Sequence, residues 1–246
     1  MELLTQIEEK IWKGMRASCS DTFFFLEDES QQIAAEYLLT VNVAKNLADL
    51  NKYIGYPYKI YIERKTSLIA TDCVPFFGRE VAINIFGYRR VLRKRQNTSR
   101  NGRADIALYY NTGGLSDTPV GVIELKGFDP GSTYVIKDLS RNVEYFNLKC
   151  RTGVSQIKYT CFAAMHSFPK SITDEQIKID LSGLRAKYEN WQAKVELPSN
   201  ICYRLSVDTI SRALEFSYLD EENLEDKELE SNHHFAGVIV SYFRCV

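Results

Sequence analysis

Histidine and proline are scarce in these 246 residues, with three of the first and six of the second. His166 lies in an apolar run and His233 and His234 are adjacent. None stands at the spacing of a histidine-built metal site, and no catalytic role is read into them. The six cysteines, at 19, 73, 150, 161, 202 and 245, include no CxxC pair, which excludes a zinc framework. Without a leader they read as buried free thiols of a reducing cytoplasm rather than as a disulfide scaffold. No stretch nears the roughly 18 uninterrupted apolar residues of a spanning helix, which excludes a membrane partner. The opening MELLTQIEEKIWKGMR is amphipathic and carries acids, unlike the apolar core of a signal peptide. Net charge is only −1, so any anion-binding surface must come from uneven placement of charge.

What is present is a chain of alternating helix and strand patterns without repeat or linker, read as one domain over 1–246. Leu3, Leu4, Ile7, Ile11, Trp12 and Met15 recur at helical spacing and predict a helix over 1–16. A second helix is expected from about Ser30 to Leu50, capped by Asp28 or Ser30, with Ile33, Tyr37, Val41, Ala44 and Ala48 as its apolar stripe. KIYIERKT at 59–66 predicts a strand, whereas 80–96 fits either a strand or a helix. GRADIALYY and PVGVIELKG, separated by a Gly-rich turn, predict a hairpin. A helix over 135–150 and strands over 159–168, 201–210 and 235–243 are expected, with 173–194 mainly helical. The acidic stretch at 220–230 reads as a solvated loop or helix face, or alternatively as an autoinhibitory mimic of nucleic acid.

The hairpin carries the chemistry. Folded symmetrically about Gly114, it pairs residues whose numbers sum to 229, which brings Tyr110 near Pro119 and Asp105 across from Glu124. Directly opposed residues hold their Cβ atoms about 4.5–5.5 Å apart, so both carboxylates reach one cation. Alternation sends Glu124 and Lys126 to one face, and Ile123 and Leu125 to the other with Ile106 and Leu108. The expectation is two carboxylates and an ammonium on one side of a sheet whose other side is core. Opposed carboxylates repel unless a cation lies between them or one is protonated. A hard divalent ion suits such oxygen ligands and phosphate chemistry. A cross-strand surface salt bridge of Lys126 with one acid is the plainer alternative.

Asp105 followed by Glu124-Leu125-Lys126 resembles the D…ExK signature of the PD-(D/E)XK nuclease superfamily. The resemblance covers roughly residues 30–168 in the order helix, strand, strand with Asp, strand with ExK, helix, strand. It implies an α/β fold: a restriction-endonuclease-like core with a mixed central β-sheet flanked by helices, elaborated by the N-terminal helix and by 169–246. It implies a Mg²⁺- or Mn²⁺-dependent hydrolase of phosphodiesters, with DNA ahead of RNA as the nucleic-acid partner and restriction or anti-phage defence as a role. Asp105, Glu124 and the backbone carbonyl of Leu125 would be the metal ligands. Lys126 would assist the attacking water, and Glu36 matches the glutamate that a preceding helix often contributes. One departure limits the assignment: RecB-like members carry Gln and Tyr four residues apart after ExK, but Gln156 and Tyr159 are three apart. Neither a helicase motif nor a Walker A loop is present, so an ATPase or regulatory partner would be a separate protein. A homodimer is implied where both strands of a duplex are cut.

Residues 89–103, RRVLRKRQNTSRNGR, contain Arg89, Arg90, Arg93, Lys94, Arg95, Arg100 and Arg103 and no acid. The run ends two residues before Asp105, where phosphate-neutralising cations would hold a nucleic-acid backbone beside the centre. The alternative is a plain solvated basic loop. Lys137, Asp138 and Arg141, early in the next helix, read as salt-bridged surface residues, or alternatively as facing the groove.

Overall fold

A computed structural model of the chain describes residues 2–25, 35–52, 57–74, 80–83, 89–92, 98–99, 101–111, 117–150, 153–168, 173–212 and 234–245. Two helices come first, α1 (Glu2–Phe25) and α2 (Ala35–Ala48), followed by β1 (Tyr58–Lys65) and the short α3 (Thr66–Cys73). Then come β2 (Glu80–Ile83), β3 (Arg89–Leu92), β4 (Arg103–Tyr110), β5 (Thr118–Phe128) and α4 (Ser132–Asn147). The remainder is β6 (Lys149–Cys150), β7 (Gly153–Val154), β8 (Tyr159–Phe168), α5 (Asp174–Gln192), β9 (Ile201–Arg212) and β10 (His234–Arg244).

Six strands form one mixed sheet in the order β1-β4-β5-β8-β10-β9. Only the β5–β8 pair is parallel among these neighbours. Parallel neighbours need a crossover connection, and α4 is that crossover. The β2–β3 ribbon stands apart and settles the ambiguous 80–96 region as strand where it is described. β9 and β10 continue the same sheet beyond β8.

Helices cover both faces. On one, Ile7, Ile11 and Met15 of α1 and Leu39, Val43 and Leu47 of α2 pack on Ile106, Leu108, Ile123 and Leu125. On the other, Leu139 and Val143 of α4 and Tyr188 of α5 pack on Ala107, Val122 and Phe162. The burial of β5 is continuous from Pro119 to Leu125, as expected of a central strand buried on both faces. The expected mixed sheet flanked by helices is observed, and the face that carries Glu124 is buried as well.

The stripe predicted for α2 is corrected. Ala44 is buried as expected, but Tyr37 is 67% exposed and Val41 39%, while Leu39, Val43 and Leu47 are fully buried. AEYLLTVNVAKNLA holds apolar residues on more than one side, so periodicity does not choose between them. The packing of α1 on α2 does: a Cβ at Gly14 would lie 2.6 Å from Val43 Cγ2, so only glycine permits this approach. Helix α1 runs on through Phe25, past the predicted end at 16. Ile33, Asp28, Ser30, Gly114 and the acidic 220–230 stretch lie outside the described residues.

Cys19, Cys73 and Cys161 are buried thiols, and burial pushes their pKa values up to about 11, 12 and 12. The expectation of free thiols fails at Cys202 and Cys245, which form a disulfide with Cα atoms 5.3 Å apart. They are 43 residues apart in sequence, and the register that pairs Ile201 with Arg244 brings them together. Among the described residues no helix is long and apolar enough to cross a membrane.

Candidate active site

The predicted register holds beside the site. Leu108–Gly121, Ala107–Val122 and Ile106–Ile123 pair as expected, and Asp105 follows next on its strand. A bulge after Leu108 shifts the turn end by one residue, so Tyr110 pairs with Thr118 and Pro119 with Tyr109. The ladder ends at Ile106–Ile123 and Asp105 takes over its role. Its Oδ2 accepts the Leu125 N–H at 2.6 Å, in place of a strand carbonyl. The N–H and C=O of one strand residue point toward the same neighbour, so the Leu125 carbonyl also lies on the Asp105 side.

Glu36, Asp105, Glu124 and Lys126 are brought together. Lys126 Nζ donates to Glu36 Oε1 at 2.9 Å across 90 residues of sequence, and lies 3.7 Å from Asp138 Oδ2. Glu124 is 1% exposed, and its Oε2 is ion-paired with Arg141 Nη2. Arg141 Nη2 also donates to Asp138 Oδ1 at 3.3 Å. Asp138 and Arg141 are therefore buried members of the site, at 1% and 4% exposure, not the surface residues expected. The signal was legible in principle. Residues 138, 141 and 145 share the face of α4 that carries Leu139, Asn142 and Phe146, an apolar face next to the ExK strand.

Burial dominates the electrostatics. It pushes the Asp105 carboxyl up to about 6, opposed by the Leu125 N–H and Lys126 and reinforced by Glu36 and Glu63. It raises Glu124 well above the ordinary glutamate range against the pull of Arg141, with Asp105 and Asp138 adding repulsion. Burial alone would lower Lys126, but the hydrogen bond and charge of Glu36, then Asp105 and Asp138, outweigh it and hold the ammonium above its usual value. A lysine so held stays protonated at neutral pH. In that form it donates hydrogen bonds and stabilises negative charge.

Glu63 was not anticipated. It sits in β1 between Ile62 and Arg64, which pair with Ile106 and Ala104, and so stands across from Asp105. Its φ of 53° marks a left-handed residue inside the strand.

The basic run is only partly described. Arg89 and Arg90 lie on β3, opposite Ile83 and Ala82. Arg103 is exposed at the start of β4, and Arg93, Lys94, Arg95 and Arg100 fall outside the described residues. Gln156 lies in the loop before β8, where its N–H bonds to Cys73 O. His166 is locked between Asp129 Oδ1 and Tyr188 Oη at 3.0 Å each, and His234 stacks on Phe168.

Among the described residues no three His, Cys, Asp or Glu side chains stand in a ligand arrangement, because Glu124 faces Arg141 and Glu36 faces Lys126. One feature of the cluster fits a cation: Glu124 Oε1 is buried and meets no hydrogen-bond donor among the described residues. No family model, curated protein or solved structure matches the chain.

Proposed function

We propose that the chain is a Mg²⁺- or Mn²⁺-dependent nuclease with a restriction-endonuclease-like core, hydrolysing phosphodiester bonds of DNA. The observation that carries this reading is the convergence of Glu36, Asp105, Glu124 and Lys126, drawn from three elements, with a buried Glu124 oxygen that meets no partner among the described residues. Asp105, Glu124 and the Leu125 carbonyl would hold the divalent cation, which supplies Lewis-acid polarisation of a phosphoryl oxygen when bound. Lys126, held protonated, donates to the attacked phosphate and stabilises charge as it develops. Glu36, whose side chain is 45% exposed, faces solvent beside Lys126 and orients the attacking water. The water oxygen forms the new bond to phosphorus, the bond to the leaving sugar oxygen breaks, and that oxygen recovers a proton. Arg89, Arg90 and Arg103, with the rest of the 89–103 run, would hold the backbone phosphates.

The test is cutting of plasmid and single-stranded DNA by wild type and Lys126→Ala in Mg²⁺, Mn²⁺ or EDTA. Metal-dependent cutting should appear and fall by about a thousandfold in the variant. The Glu124–Arg141 pair favours a second reading, a nuclease-like module that binds nucleic acid or assembles without cutting. Salt-sensitive DNA binding by folded wild type, with no cleavage in any metal, would select it.

A further inference from the structure

Buried polar atoms without partners concentrate beside Glu124. Glu124 Oε1, Arg141 Nε and Tyr145 Oη all lack a hydrogen-bond partner among the described residues. The charges of Glu124 and Arg141 both act on the Tyr145 hydroxyl, so the three groups share one environment. Buried polar groups are almost always satisfied, and three orphans in one place mark a binding site built for something else. The orphans are of both kinds: an acceptor on Glu124 and donors on Arg141 and Tyr145. A cation satisfies the first and an oxyanion the others.

The surroundings suit both ligands. Asp105, Asp138 and Glu36 join Glu124 on the acidic side, and they outnumber Lys126 and Arg141. On the other side, the nearest atom to a Cβ built on Gly102 is Arg141 Nη1, at 3.9 Å. Gly102 is followed by the exposed Arg103 at the start of β4, so a phosphate held by Arg103 would arrive beside the Arg141 guanidinium. Arginine suits it, since its planar fork matches phosphate oxygens two at a time.

We infer that Arg141 is the phosphate receptor of this site, and that its ion pair with Glu124 makes metal and phosphate bind together. This rests on the nuclease reading above and adds its order of assembly. Glu124 and Arg141 are almost wholly buried, so neither charge can be left without a counter-charge. A divalent cation that takes Glu124 alone leaves the guanidinium only its longer bond to Asp138, and a phosphate that takes Arg141 alone removes the ion pair that compensates the burial of the carboxylate. Together they exchange one pair for two: Glu124 with the cation and Arg141 with the phosphate. The site therefore binds metal more tightly when a phosphate is present. By linkage, metal and phosphate raise each other's affinity by the same factor.

The experiment reads Mn²⁺ binding from the free-ion magnetic resonance signal, for the full chain alone, with inorganic phosphate and with oligothymidylate whose phosphorothioate linkages resist cutting. Wild type should bind Mn²⁺ about tenfold more tightly with an anion present. Tightening by oligothymidylate identifies a backbone phosphodiester as the ligand. Tightening by inorganic phosphate alone also supports the coupling, but identifies a free phosphate and counts against DNA as substrate. Arg141→Gln should bind Mn²⁺ tightly without any anion and lose the effect of both. Arg141→Lys, which keeps the charge, should keep part of the coupling and serves if the glutamine variant does not fold. Mn²⁺ affinity in wild type that neither anion changes, or coupling that survives in Arg141→Gln, overturns the inference. Uncoupled binding with metal-dependent cutting sinks the coupling alone, whereas no Mn²⁺ binding and no cutting sinks the nuclease reading with it.

Discussion

Among the described residues two glutamate–arginine pairs with buried carboxylates cross between elements, and they are built differently. Glu8 of α1 is complete: its Oε1 accepts from Arg204 Nε at 3.2 Å and from Ser241 Oγ at 2.6 Å, while Oε2 takes Arg204 Nη2. That arrangement ties the first helix to β9 and β10. Glu124 of β5 engages Arg141 through one oxygen only, and the other oxygen and Arg141 Nε face no partner among the described residues. A pair that serves stability spends all its hydrogen bonds inside the protein. A pair that serves a ligand holds some back, and carries the desolvation of both charges without full return.

The two pairs should differ most in catalysis. Glu124→Gln should lower metal-dependent DNA cutting by about a thousandfold, whereas Glu8→Gln should leave the rate within about twofold. Equal losses measured in a plasmid assay would remove the distinction.

Stability should divide them the other way. Glu8→Ala removes the carboxylate that Arg204 and Ser241 both bind and should lower the unfolding free energy by about 3 kcal/mol in urea titration. Replacing Glu124 and Arg141 together with Leu and Met removes the orphaned atoms and should leave stability unchanged or higher. A loss in that double variant as large as in Glu8→Ala would make the second pair structural too.

The pH dependence extends the contrast. Asp105, held near 6 by burial, keeps its proton in the folded protein over a range where the unfolded chain has lost it. Its ionisation therefore destabilises the metal-free fold as pH rises from about 4 through about 6, the reverse of a salt-bridged acid. Wild type should lose roughly 2 kcal/mol relative to Asp105→Asn across that interval. Mg²⁺ at pH 7 should restore the difference in thermal melts, and a gap that ignores both pH and Mg²⁺ would refute the buried-acid account.

The smallest effect concerns the basic run. Arg93→Ala, Lys94→Ala and Arg95→Ala together should weaken DNA binding and flatten its salt dependence by about one unit of log–log slope for each phosphate left without its cation. An unchanged slope would detach that run from the site.

Much of the candidate site was legible because its central elements are local. Alternation along GRADIALYY and VIELKG placed Ile106, Leu108, Ile123 and Leu125 on one buried face and Glu124 with Lys126 on the opposite one. Hairpin symmetry set the register from Leu108–Gly121 to Ile106–Ile123, but not beyond the bulge toward Pro119. Asp138 and Arg141 were misread because a charged pair three residues apart on a helix is ordinarily a surface pair. Their spacing puts them on the buried side of α4, but only the packing of that crossover helix turns them onto Glu124. The α2 stripe failed because two faces of that helix are apolar, and Gly14 of α1 selects between them.

The kinds of element, the strand faces and the central D…ExK arrangement are written in the chain itself, since they follow from periods of 2.0 and 3.6 residues and from one short turn. Folding in three dimensions added that Glu36 meets Lys126, that Arg141 occupies Glu124, that Glu63 stands across from Asp105 and that Cys202 bonds to Cys245. Each of these meetings depends on how separate elements are laid against one another. That is set by close packing and by the pairing of buried charges over the whole domain, and no local pattern in the chain encodes it.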